Sequence, residues 1–221
     1  PEINGRESMK RFALILLILS LFLAVVPGIS QAQEAISASY DTNIEFPTAL
    51  TFSLNAESTT DITQITLSYK ISQITTISVI SEVEPQFDTG PKVETSWEWD
   101  MTGNSLPPGA EIQYSWRIED AAGYELETPW KTVQFNDNRH HWKSLTEGNI
   151  SLFWYDGDQS FAQELMDAAS EALNKLAQDT GAHLEQAVDI YIYASSQDLR
   201  GALIFPQEWT GGVTFPGYGI I

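Results

Sequence analysis

Short runs in which apolar and polar residues alternate, spread from Ile36 to about Phe135, restrict this chain more than any other feature. Ala49 to Leu54 and Ile62 to Tyr69 carry the pattern, and Thr75–Ile80, Val93–Trp99, Ile112–Ile118 and Trp130–Phe135 repeat it. Successive side chains of a strand point to opposite faces, so each run has one face to bury. Turn-forming residues separate the runs: Asp88-Thr89-Gly90-Pro91, Asp100 to Gly109 with Pro107-Pro108, and Asp120-Ala121-Ala122-Gly123. About seven short strands in some 100 residues, without a helical period, predict an antiparallel β-sandwich over residues 33–137.

The last two runs, Tyr114 to Gly123 and Trp130 to Phe135, resemble the final hairpin of immunoglobulin-like and fibronectin-type modules. That likeness is to an architecture and carries little function. Trp97 and Trp99 share a strand face and Trp116 could lie across from them, which offers either an aromatic platform for sugar rings or a buried core; the core is the expected reading. Asp88, Asp100, Glu119 and Asp120 lack the regular spacing of a calcium loop and read as solvated loop charges.

Residues 1–32 read as upstream sequence plus a secretory signal. Lys10 and Arg11 form a basic start after Met9, and Phe12 to Val26 is an apolar run of 15 residues broken by one Ser. Pro27-Gly28 and then Ser30-Gln31-Ala32 follow, so cleavage is expected after Ala32 and secretion with it. The competing reading, a retained anchor, has a run short for a hydrocarbon core of about 30 Å, so no stable membrane span is expected after cleavage.

The chain has 11 basic and 30 acidic residues, a net charge of -19. Such a field repels phosphate backbones and anionic lipid heads, which excludes nucleic acid as an expected partner. The absence of cysteine removes disulfides, thiolate metal sites and a Cys nucleophile.

Residues 138–147 read as a linker. His140-His141 point to opposite sides of an extended chain and do not make a compact metal site, and the remaining histidine is His183. Residues 148–221 then switch to an α+β pattern. Ile150 to Tyr155 suits a buried strand, and Ser160 with Gln163 forms a capping box. Phe161, Leu165, Ala168, Ala169, Ala172, Leu173 and Leu176 recur at helical spacing until Gly181 stops the helix. Val188 to Tyr193 is the next strand, Ser195 with Asp198 caps a short helix through about Ile204, and Trp209 to Phe215 reads as a third strand.

These residues reach a family. Trp154-Tyr155-Asp156-Gly157-Asp158, Phe161-Ala162, the Ala/Leu-rich helix, Ile190-Tyr191-Ile192-Tyr193, Asp198-Leu199 and Trp209-Thr210-Gly211-Gly212 resemble the opening of the peptidase MA-like domain. That family belongs to the gluzincin metallopeptidases, whose secreted bacterial members often carry a β-sandwich in front. The resemblance implies an α+β domain, zinc in the full-length protein and a peptide or protein substrate. It also implies a His-Glu-x-x-His helix further on, whose histidines grip zinc while the Glu activates water. No such spacing occurs here, so no catalytic residue and no metal ligand transfers. One family role has a place: a substrate-pairing edge strand at Gly211-Gly212-Val213, against the alternative of a plain bulge or turn.

Neither a Gly-x-Ser-x-Gly elbow nor a phosphate loop with Lys is present. Pro1 to Ser8 precede the first Met, and Ile220-Ile221 fall inside an apolar run, so an N-terminal fragment of a longer frame is expected. The leading expectation is a fragment of a secreted zinc metallopeptidase, inactive alone. The alternative is a non-catalytic extracellular binding or adhesion module.

Overall fold

One strand of 23 residues, β2 (Ala49–Ile71), organises the first half of the molecule. The structure, a computed structural model, describes residues 35–72 and 79–221. The expected signal from Met9 to about Ala32 lies outside them, as does most of the expected strand Thr75–Ile80, of which Val79 and Ile80 are described and exposed outside any strand.

The N-terminal half of β2 pairs with β1 (Ile36–Glu45) on one side and β4 (Gly90–Asp100) on the other. Its C-terminal half pairs with β3 (Ser81–Val83) and β5 (Ala110–Asp120). The short strands β6 (Glu125–Glu127) and β7 (Lys131–Phe135) complete β5, and all these pairings are antiparallel. The result is one curled seven-stranded sheet.

Two expected strands, Ala49–Leu54 and Ile62–Tyr69, are thus one. Asn55 to Asp61 contain no Gly or Pro to turn the chain, and their polar side chains tolerate an exposed crossing. A bulge sits inside the second run. Ile62 faces Asp120 while Gln64 faces Glu119, so Thr63 is an extra residue on β2. The inward positions accordingly change parity, from Leu50, Phe52, Leu54 and Ile62 to Ile65 and Leu67, all fully buried. The bulge keeps both halves of one strand facing the same core as the sheet curls.

Trp116 is fully buried, as the core reading requires. Trp97 and Trp99 are half-buried at the edge of that core, where Trp97 stacks on Phe52 at 5.9 Å and both rings meet Tyr69. Asp120 is a turn-former: its carboxylate accepts from Ala122 N (3.0 Å), Tyr124 N (2.9 Å) and the Ser58 hydroxyl (2.6 Å).

A second, three-stranded sheet has the order β10-β9-β8. Residues 143–147, read as linker, form β8 (Lys143–Glu147), which pairs antiparallel with β9 (Ile150–Trp154). Strand β10 (Val188–Ile192) lies parallel to β9, and the helix α1 (Gln159–Thr180) makes the crossover. Met166 and Ala162 are buried, and Leu165, Ala169 and Leu173 pack with Ile150 and Leu152. Phe161 and Leu176, placed by periodicity on the inner face, are instead exposed. The buried stripe is rotated because Ala162 and Met166 lie at its centre. No helix among the described residues is long and apolar enough to cross a membrane.

Gly181 ends α1 in the left-handed region, φ 76°. The N-cap is Asp158, two residues before the expected Ser160: its carboxylate accepts from Phe161 N at 3.0 Å, and Ser160 donates its hydroxyl to Asp158. Asp158→Ala should therefore lower the urea midpoint and Ser160→Ala lower it clearly less. The reverse ranking would restore Ser160 as the cap.

Candidate functional site

Strand β10 carries the site. On one face it meets the helix side of its sheet through Ile190. On the other, Tyr191 and Tyr193 reach the seven-stranded sheet, because alternate residues of a strand serve alternate faces. Tyr191 stacks on Phe153 at 4.7 Å and rests on Gly109. Gly109 has φ 82°, and a Cβ there would overlap the Tyr191 hydroxyl, so glycine is required on both counts.

Tyr193 donates its hydroxyl to Asp137 at 3.0 Å. Asp137 is fully buried and forms a two-pronged pair with Arg139, at 2.6 and 2.7 Å. Arg139 spends a further N–H on the carbonyl of Gly201 (2.7 Å), at the end of α2 (Ser196–Gly201). The Trp142 indole donates to the Asp137 carbonyl at 2.8 Å. Burial pushes the Asp137 carboxyl up, but the hydrogen bonds and charge of Arg139 and the Tyr193 hydroxyl outweigh it and hold it below the ordinary carboxylate range. Burial and the Asp137 charge push the Tyr193 phenol far up.

His140 stacks flat on Tyr155, with centroids 3.9 Å apart. The Tyr155 hydroxyl donates to Asp198 at 3.0 Å and accepts from Ala194 N at 2.9 Å. Ser195 caps α2 as expected, accepting from Asp198 N at 3.1 Å while its hydroxyl donates to the Asp198 carboxylate at 2.8 Å. The Ser195 hydroxyl first, and then that of Tyr155, hold the Asp198 carboxyl below its usual range.

The edge of β10 is partly filled by the chain itself. Asp189 N donates to Gly219 O (2.8 Å), Ile221 N to Asp189 O (2.9 Å) and Tyr191 N to Ile221 O (2.9 Å). Residues 209–215, expected as the third strand, form none, and Phe215 makes only an isolated bridge with Ile220. Gly219 to Ile221 thus hold the position beside β10. Gly211, Gly212 and Val213 instead wall a cavity of about 520 Å³ over β10, together with Tyr191, Tyr193 and Ile221. A Cβ at Gly211 or Gly212 would meet nothing within 4 Å, so space beside them is open.

No side chain lining this cavity belongs to His, Asp, Glu, Lys, Arg or Cys. It offers apolar walls, peptide groups and hydroxyls, the means to hold an extended chain. The Ser195 hydroxyl is engaged by Asp198 with no histidine between them. For zinc the donor set does not fit: His140 is stacked on Tyr155, His141 and His183 are exposed, and among the described residues no three His, Cys, Asp or Glu side chains converge.

Residues 168–221 match the family model of the Peptidase MA superfamily, and the match contains β10, α2 and the Gly211 to Val213 wall. No curated protein matches the chain. Among solved structures, the Northeast Structural Genomics Consortium target SoR45 has 10% identity and a TM-score of 0.35, covering 52% of this chain and 96% of that one. A laminaripentaose-producing β-1,3-glucanase of glycoside hydrolase family 64 from Paenibacillus barengoltzii has 16% identity and a TM-score of 0.29, covering 56% and 27%. The FixG-related protein from Vibrio parahaemolyticus has 13% identity and a TM-score of 0.26, covering 45% and 95%. At such scores these likenesses carry nothing about function.

Asp137→Asn leaves the partly exposed Arg139 without its charge partner and should cost about 1.5–3 kcal/mol at neutral pH. The depressed carboxyl contributes stability that is present above the unfolded value of about 3.9 and lost as pH falls through the lower folded value. Urea midpoints measured from pH 7 to pH 2 should fall with acid for the natural chain and fall less steeply for the variant. Parallel curves would deny the ion pair its role.

Proposed function

We propose that residues 148–221 are the leading part of a peptidase MA-like domain from a secreted zinc metallopeptidase of the gluzincin type. The β-rich part before it is an immunoglobulin- or fibronectin-like module, and the segment from Met9 to about Ala32 exports the protein. One observation carries the reading: the family match over residues 168–221 spans the walls of an uncharged cavity along a sheet edge. Such a cavity suits a peptide held in extended form, with the peptide groups of Gly211-Gly212-Val213 in reach and no charged side chain to compete.

The zinc ligands and the general base are no part of these 221 residues. The histidines are His140, His141 and His183, none four positions from another as a His-Glu-x-x-His motif demands. What this chain contributes is binding: β10 and the glycine segment orient the substrate, and the Asp137 pair fixes that wall to the β-rich part. Alone it neither hydrolyses peptides nor holds zinc in a catalytic geometry.

The coding DNA beyond the codon for Ile221 tests this directly. The expected result is a His-Glu-x-x-His helix within about 20–60 residues in the same frame, with a Glu beyond it. An immediate stop in independently sequenced DNA would end the peptidase reading and leave a non-catalytic binding or adhesion module.

A further inference from the structure

A second cleft, of about 410 Å³, adjoins the cavity over β10. The two share Ala202, Leu203, Gly212, Val213 and Phe215, so the glycine segment is a partition with a space on each side. The far wall belongs to the seven-stranded sheet: it is the β4–β5 turn, Gly103 to Leu106. Both walls are anchored. Ala202 is buried in the core of that sheet, and the Ser105 hydroxyl donates to Pro47 O at 2.6 Å.

Phe205 and Trp209 line this cleft while remaining 81% and 84% exposed. Two large rings in water around one concavity are an apolar patch with no cover among the described residues. Phe205 also has φ 53°, a left-handed conformation that a bulky residue rarely adopts. With its ring so exposed, packing of the ring does little to offset that strain. The chain has 30 acidic residues, yet no charged side chain lines the cleft; Asn104, Ser105, Gln207 and Thr210 supply its polar groups. Aromatic faces with a few amides and hydroxyls accept a large uncharged group, and the acidic field around them rejects an anion.

We infer that this cleft receives an apolar or aromatic side chain of the peptide lying in the β10 cavity, so that the β4–β5 turn of the β-rich part takes a share in substrate selection. The inference rests on the peptide-binding reading given above. It gives the seven-stranded sheet a task beyond support: Gly103 to Leu106 close a side pocket that the α+β part leaves open.

The test is fluorescence anisotropy of the full chain with labelled, otherwise uncharged hexapeptides carrying Phe, Leu, Ala or Asp at one scanned position. At one position Phe and Leu should bind about tenfold tighter than Ala, with Asp the weakest. Trp209→Ala should abolish that preference and leave the affinity for the Ala peptide unchanged. Asn104→Glu, on the opposite wall, should do the same, which a purely local effect at Trp209 would not. Circular dichroism of both variants checks that they fold. Peptide binding without preference, or a preference that both folded variants keep, overturns the side pocket and leaves the peptide-binding reading intact. Failure of every peptide to bind overturns both. Binding of maltohexaose through Trp209 in place of any peptide would assign the cleft to neutral sugars and overturn the inference.

Discussion

The buried carboxylate of Asp137 is the interaction on which the arrangement of this molecule depends. A charge with no exposed surface is tolerated only when partners satisfy it, and here Arg139 meets it with two N–H groups and Tyr193 adds a third donor. Those donors come from different places: Arg139 follows the last strand of the seven-stranded sheet, whereas Tyr193 follows β10, at the edge of the three-stranded sheet. Arg139 also reaches Gly201, the last residue of α2. Replacing such a pair by apolar groups can be neutral, so its consequence is less net stability than a single permitted docking geometry.

That geometry decides the functional surface. With Tyr193 pinned to Asp137 and Tyr191 seated on Gly109, β10 lies beside the β-rich part, and Gly211 to Val213 wall the cavity over it. Ala202 enters the core of the seven-stranded sheet, which holds the glycine segment between two spaces. Both spaces are free of charged side chains in a chain of net charge -19.

Much of the fold was legible because its determinants are local. Alternation marked the strands around Val93 and Ile112, a mostly apolar run marked the one at Ile150, and Gly181 and Ser195 marked helix ends by backbone freedom and side-chain capping. Where the reading failed, distant groups decided. Thr63 became a bulge in the pairing with β5, and Asn55 to Asp61 continued as strand, so two expected strands are one. Residues 143–147 became β8 because β9 had an edge to cover, though Lys143-Ser144-Leu145 shows too short a period to announce a strand. At the site, Gly211-Gly212-Val213 wall a cavity over β10, and Gly219 to Ile221 bond to that strand. The Asp137 pair had no signature, since Asn136-Asp137-Asn138-Arg139 reads like any polar connector and its Tyr193 partner lies 56 residues away.

If one docking geometry is fixed by Asp137, residues 35–221, which form one compact unit, should unfold as one. The direct measurement is equilibrium urea unfolding followed at once by tryptophan fluorescence, near-ultraviolet and far-ultraviolet circular dichroism. A single transition with coincident midpoints and slopes from all three probes is the expected result. Two separated transitions, one for the seven-stranded sheet and one for the α+β part, would show that the halves fold independently and that the buried pair does not bind them together.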